Sequence, residues 1–138
     1  MTMKRVVIAS HSRFATGLKE TLKFITAMDD IYDIPAYVED DSEPLEETIA
    51  KLFATFSPED KVIVMTDVLS GSVNQKFFPY INDHTFVITG VNVPLALSIM
   101  LADEAGITPQ YIRQAVEESK QMIIFVNEMQ PDKDEDDE

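Results

Sequence analysis

A histidine ends one apolar run of this chain, and an aspartate ends another. His11 follows "VVIAS" at residues 6–10, and Asp67 closes "KVIVMTD" at residues 61–67. An imidazole held by a carboxylate through one ring nitrogen keeps a fixed tautomer, and its other nitrogen stays free to attack an electrophile. The same carboxylate favours the cation that then forms. The turn after Asp67, "DVLSGSVNQ", adds what a phosphoryl group needs besides a nucleophile. Gly71 lets the backbone approach a ligand closely, and Ser72 is placed to cap a following helix whose free N–H groups favour an anion. In-line attack by His11, with oriented donors for the equatorial oxygens, is phosphoryl-transfer chemistry that calls for no metal or other cofactor. The absence of cysteine removes disulfides, thiolate catalysis and cysteine-ligated zinc.

Each residue alone is weak, since a histidine after a strand is commonly a polar loop residue and an aspartate at a strand end a turn former. Their joint position carries the reading, so the elements must bring the ends of two non-consecutive runs together. Residues 6–10 and 61–67 are short, continuous and rich in β-branched side chains, as in strands covered on both faces. Residues 31–38 form a weaker strand in which Pro35 lacks a ladder donor and points to a sheet edge. Residues 85–91 form the fourth strand and residues 123–128, "IIFVNE", a last one of undetermined direction.

Between them lie helical stripes. Phe14, Leu18, Leu22 and Ile25 make the first; Leu45, Ile49, Leu52, Phe53 and Phe56 make the second, ended by Ser57-Pro58. A short helix carries Phe77, Phe78 and Ile81. Another runs over 95–105 to Gly106, and the last starts at the Thr108 cap with Pro109 in its first position and carries Tyr111, Ala115, Val116 and Met122. Met65 and Met100 read as core residues.

Alternating strands and helices predict a doubly wound α/β fold, mainly parallel, with five strands and helices on both faces. In the order 2-1-3-4 the first strand lies beside the third, and their following loops diverge to open a crevice at the carboxyl ends. His11 and Asp67 sit at those ends. His84, which precedes a strand, faces the wrong edge of the sheet.

The chain has 138 residues, enough for one ordinary domain, here read as residues 1–129 with an acidic, disordered tail at 130–138. Hydrophobic residues make up 45% and charged residues 26%, a soluble globular mix. With no long apolar span and no signal-like start, a cytoplasmic location and no membrane insertion are expected. The net charge is −14; residues 132–138 hold six acids and one lysine, a net −5, which leaves −9 elsewhere. Such a chain repels phosphate backbones and anionic lipid heads, so nucleic acid is disfavoured and a basic protein partner favoured. The acidic residues 39–47 read as a solvated loop and helix start.

Taken together and in this order, "VIASHSRFATGLKETL", "VIVMTDVLSGSVNQ" and "ITGVNVPLALSIM" resemble the mannose-type enzyme IIA domains of the bacterial phosphoenolpyruvate-dependent sugar phosphotransferase system (PTS). The resemblance covers nearly the whole chain up to the tail. It implies that His11 accepts a phosphoryl group from phospho-HPr and passes it to a IIB domain, through which the protein associates with a membrane sugar transporter. It implies that Asp67 holds His11, that Ser72 is a phosphate-side hydroxyl beside Gly71, and that Gly90, Val91 and Asn92 neighbour the pocket. It also implies a homodimer with four parallel strands and one antiparallel strand, residues 123–128, exchanged between subunits.

Two departures fall in the phosphate loop: Ser70 stands where the family has the first of two glycines, and Val73 where proline is frequent. Arg13, close after the histidine, is read as an exposed arginine and left out of the catalytic set.

Other readings stay open. The phosphocarrier subunit of a dihydroxyacetone kinase shares the histidine, although "GVNVPL" leans towards sugar transport. A regulatory domain that binds a partner and transfers nothing is a third class. A two-component receiver fits less well, because "SHSR" offers no acidic pair for magnesium.

Overall fold

Four apolar runs become four parallel strands: β1 (Lys4–His11), β2 (Ile31–Ala36), β3 (Lys61–Thr66) and β4 (Thr85–Thr89). Their order is β2-β1-β3-β4, and Val6 stands level with Ile31 of β2 and Ile63 of β3. The computed structural model describes residues 2–38 and 43–129. The expected tail at 130–138 and part of the acidic loop lie outside them.

Neighbouring residues of the central strands point to opposite faces, and both faces are covered. Val6 and Ile8 of β1, with Ile63 and Met65 of β3, face helices α1 (Phe14–Thr26), α4 (Val93–Leu101) and α5 (Pro109–Lys120) through Leu18, Leu22, Leu95, Ile99 and Ala115. Val7 and Ala9, with Val62 and Val64, face α2 (Leu45–Ala54) and the segment carrying α3 (Ser72–Gln75) through Leu45, Ile49, Val73 and Phe77. Full burial of a side chain such as Leu22 or Ile49 contributes roughly 2 kcal/mol. Met65 and Met100 are core residues, as read from the sequence.

The chain therefore leaves β1 for one face of the sheet, by α1, and leaves β3 for the other, by α3. That divergence is the switch point the strand pattern predicts. Pro35 lies on edge strand β2, again as expected.

Four expectations are corrected. The last strand is not formed: residues 123–125 are irregular and Val126–Glu128 is a 3-10 turn, so among the described residues the sheet has four strands. A strand needs a ladder partner, and among the described residues none lies beside this segment; Ile123, Phe125 and Val126 are 75%, 63% and 69% exposed.

The helix expected to reach residue 105 stops at Leu101. Its free carbonyls are taken by Lys4 at the start of β1, whose Nζ donates to Ile99 O at 2.8 Å, to Met100 O at 2.9 Å and to Ala102 O. Asp103 Oδ1 then accepts from Gly106 N at 2.8 Å and closes a separate turn. Of Phe77, Phe78 and Ile81, only Phe77 is buried, because α3 ends at Gln75 and Pro79 shapes a 3-10 turn. On α1 the buried stripe is Ala15, Leu18 and Leu22; Phe14 and Ile25 flank it half-exposed.

The expected cap of α5 forms, and α4 has one as well. Asn92 Oδ1 accepts from Leu95 N at 2.9 Å, and Thr108 Oγ1 accepts from Tyr111 N at 3.1 Å with Pro109 next in line. Among the described residues no helix is long and apolar enough to cross a membrane.

Candidate active site

His11 is the last residue of β1, level with Ala36 of β2, and Asp67 follows the last residue of β3. Asp67 Oδ2 accepts from the His11 backbone N–H at 2.9 Å and lies 3.0 Å from His11 Nδ1; Oδ1 accepts from Val68 N at 3.0 Å. Burial works against the charge on this carboxyl. The backbone and ring N–H of His11 and the Val68 N–H outweigh it and hold Asp67 below the usual carboxylate range. An ionised acceptor at Nδ1 puts the ring proton there, so Nε2 keeps its lone pair. The imidazole is 40% exposed, which leaves that nitrogen approachable.

Gly71 packs against the outer edge of the ring. A Cβ added to it would stand 2.4 Å from His11 Cε1 and 3.2 Å from Nε2. The residue is needed for space and not for backbone freedom, since its φ of −83° suits any side chain. The loop that carries it is tied to β3 by buried Asn74, whose Oδ1 accepts from Thr66 Oγ1 at 3.0 Å and whose Nδ2 donates to Leu69 O at 3.3 Å.

Ser72 does not cap α3: Gly71 occupies that place, and the helix has only four residues. Its hydroxyl instead lies 2.8 Å from that of Tyr37, just past the end of β2. The Tyr37 ring is tilted 44° to the His11 ring, their centroids 5.8 Å apart. Tyr37 and Ser12 both have left-handed backbones, with φ of 64° and 54°. Each costs about 1 kcal/mol in a residue with a side chain. Ser12 N donates to Ala36 O at 2.8 Å, and buried Ser10 accepts from Ala15 N at 2.7 Å, so the ends of β1 and β2 and the start of α1 are fastened together.

Gly90, Val91 and Asn92 frame β4's end of the crevice, with the first two N–H groups and the Asn92 side chain already engaged. The N–H groups of Gly90 and Val91 both donate to Thr66 O, at 3.0 and 3.1 Å, and the φ of +79° at Gly90 is one that glycine adopts at no cost. Asn92 caps α4 and donates from Nδ2 to Ser119 O at 3.0 Å. Val91 and Asn92 also line an apolar cleft of about 540 Å³ with Phe14 and Leu18. Arg13 is exposed at the start of α1. His84 is exposed before β4, at the opposite ends of the strands from His11.

Sequence reasoning thus brought together His11, Asp67, Gly71 and Ser72, and missed Ser10 and Tyr37. Tyr37 follows the end of a strand that neighbours β1, and that place was a usable signal.

The family model described as "PTS system fructose IIA component" matches residues 5–116. The chain belongs to this mannose-type enzyme IIA family. Solved structures agree. A Klebsiella pneumoniae protein whose name places it with phosphoenolpyruvate-dependent sugar PTS permeases shares 30% identity and a TM-score of 0.85, over 92% of this chain and 93% of its own. The PTS IIA protein associated with the fucose utilization operon of Streptococcus pneumoniae has 21% identity and a TM-score of 0.76, over 91% and 95% of the two chains. The mannose/sorbose specific IIA subunit of Enterococcus faecalis has 15% identity and a TM-score of 0.72, over 96% and 98%. These last two bear on the fold alone. Comparison with curated protein sequences found no match. As a PTS IIA component the protein has a phosphocarrier role in sugar transport, and the IIA domain presents His11 and Asp67 at its switch point.

Proposed function

We propose that this IIA domain carries its phosphoryl group on Nε2 of His11, taking it from phospho-HPr and giving it to a IIB domain. The observation that carries the reading is the 3.0 Å contact between Asp67 Oδ2 and His11 Nδ1, which leaves Nε2 as the free nucleophile on a half-exposed ring. In the first transfer the Nε2 lone pair attacks phosphorus in line. The bond from phosphorus to the donor's histidine nitrogen breaks, and its electron pair returns to that ring. His11 then bears the positive charge of a phosphorylated imidazole, and ionised Asp67 stabilises it through Nδ1–H. The second transfer runs the same exchange towards a histidine of IIB, with Nε2 regaining its lone pair.

Both transfers need protein partners to reach Nε2, and the exposed apolar residues Val68 and Leu69 beside Asp67 give them a surface. Gly71 and Ser72 lie on the phosphoryl side of the ring, and Gly90, Val91 and Asn92 hold the neighbouring wall. We also propose a homodimer in which residues 123–128 pair with the partner's sheet, supported by their exposed apolar side chains.

The test is labelling by phospho-HPr. Wild-type protein takes up label that survives alkali, as phosphohistidine does, and His11→Ala takes up none while keeping its circular dichroism spectrum. Label persisting in that variant overturns the assignment. Discharge of the label by IIB, and not by the components of a dihydroxyacetone kinase, separates the two carrier readings.

A further inference from the structure

The hydroxyl pair beside the ring does more than link β2 to α3. We infer that Tyr37 is a positioning residue for transfer at His11: its hydroxyl donates to Ser72 Oγ and so directs the Ser72 proton at the phosphoryl oxygens. This rests on His11 as the phosphoryl acceptor.

Three observations converge. The two hydroxyl oxygens are 2.8 Å apart, a full hydrogen bond between residues 35 positions apart in the chain. Ser72 is next to Gly71, which packs against Cε1 and Nε2 of His11, and the Tyr37 ring flanks the same imidazole. Tyr37 also has a backbone φ of 64°, a region that a bulky side chain rarely occupies. Such a conformation persists only where the surroundings hold it, and here the hydrogen bond from Ser12 N to Ala36 O fixes the turn. The left-handed turn brings the ring back to the crevice from which an extended β2 would carry it away.

A hydroxyl has one proton to give. If Ser72 gave it to Tyr37, nothing would be left for a phosphoryl oxygen; if Tyr37 gives its own, Ser72 is free to donate onward. Hydrogen bonds in such a chain polarise one another, which suits a dianionic group at its end. Loss of the Tyr37 hydroxyl then leaves Ser72 free to rotate.

The experiment compares Tyr37→Phe, Ser72→Ala and the double variant by rapid-quench transfer from phospho-HPr and by the ³¹P resonance of the phosphohistidine. Tyr37→Phe keeps the ring and the fold. Each single variant is expected to slow transfer about three- to tenfold, the scale of one hydrogen bond, and to move the resonance. The double variant is expected to match Ser72→Ala, because the tyrosine acts through the serine. Wild-type rate and resonance in Tyr37→Phe, or a fully additive double variant, overturns the inference and leaves His11 as the carrier. Wild-type protein that takes no label overturns the carrier reading itself.

Discussion

Asp67 Oδ2 accepts from the backbone N–H of His11 at 2.9 Å and faces the ring Nδ1 of the same residue at 3.0 Å. One oxygen thus fixes both where β1 ends and how its last side chain is turned. Separate atoms for the two tasks would let the ring swing without disturbing the strand. Here the orientation of the nucleophile is coupled to the pairing of β1 with β3.

That coupling sets the outcome for Asp67→Asn. The amide keeps only one oxygen. Left in the Oδ2 place, it holds both His11 contacts but sets its NH₂ against the Val68 N–H and offers no charge to a phosphorylated ring; turned over to satisfy Val68, it presents its NH₂ to Nδ1, so the ring proton moves to Nε2 and blocks the nucleophile. Transfer from phospho-HPr should slow roughly ten- to a hundredfold, the worth of a hydrogen bond to a charged group. Rapid-quench measurement checks this, and an unchanged rate removes Asp67 from the mechanism.

For Gly71→Ala the added methyl would sit 2.4 Å from His11 Cε1, closer than carbon atoms can approach. The ring, which is partly exposed, is freer to give way than the Val68–Ser72 loop, which Asn74 fastens to β3. The expected result is a folded protein whose His11 ring resonances shift in ¹H–¹⁵N spectra and whose transfer falls at least about tenfold, through loss of alignment. Unshifted resonances with a wild-type rate would mean that the loop moves instead.

The centre of the fold and the places of His11 and Asp67 were readable because they depend on local pattern. β-branched runs mark the buried strands, and their last residues fall at the crevice whatever fills the loops. The place of Tyr37 past the end of β2 was a usable signal, but its contact with Ser72 was not readable, since the turn that swings it across has no periodicity and no glycine to mark it. Nor was the end of α4, because the lysine that takes its carbonyls is about 95 residues away in sequence. Residues 123–128 have strand composition, but composition does not say whether the ladder partner lies in the same chain. Gly71 was read as a place for close approach; the structure adds that the approach is to the His11 ring.

Acid stability turns on Asp60 at the opposite end of the sheet. Its carboxylate is 1% exposed and accepts from Arg5 Nε at 3.0 Å, Ser57 N at 3.0 Å and Met3 N at 3.1 Å. Burial opposes its charge, but Arg5 and the two backbone donors outweigh that and set it below the usual carboxylate range. A depressed native value means that the stabilisation is complete above the unfolded value, about 3.9, and is lost as the pH falls through the native one. Protonating other acids meanwhile relieves the repulsion in a chain of net charge −14, so the difference between two proteins is the informative quantity. Asp60→Ala should lose about 3 kcal/mol at pH 7 by urea unfolding, the scale for breaking a buried ion pair. That gap should shrink below about pH 4. A gap that stays constant to pH 2 would mean that the charge of Asp60 is not what stabilises.

The last prediction concerns residues 123–128, where exposure in the single chain makes monomer and dimer distinguishable. Ile123 and Phe125 are 75% and 63% exposed, so replacing either with glutamate removes little burial within one chain. In a monomer Ile123→Glu and Phe125→Glu should therefore leave both mass and melting temperature nearly unchanged, as surface substitutions usually do. In a homodimer built on this segment the same side chains lie between subunits, and a charge placed there is desolvated without a partner. The expected result is a wild-type dimer by sedimentation velocity and a shift towards monomer in both variants, strongest for Phe125→Glu because the aromatic ring buries more area. The His11–Asp67 pair is made within one chain, so the dissociated variants should still accept a phosphoryl group from phospho-HPr. A wild-type chain that sediments as a monomer at all concentrations would dispose of the exchanged strand.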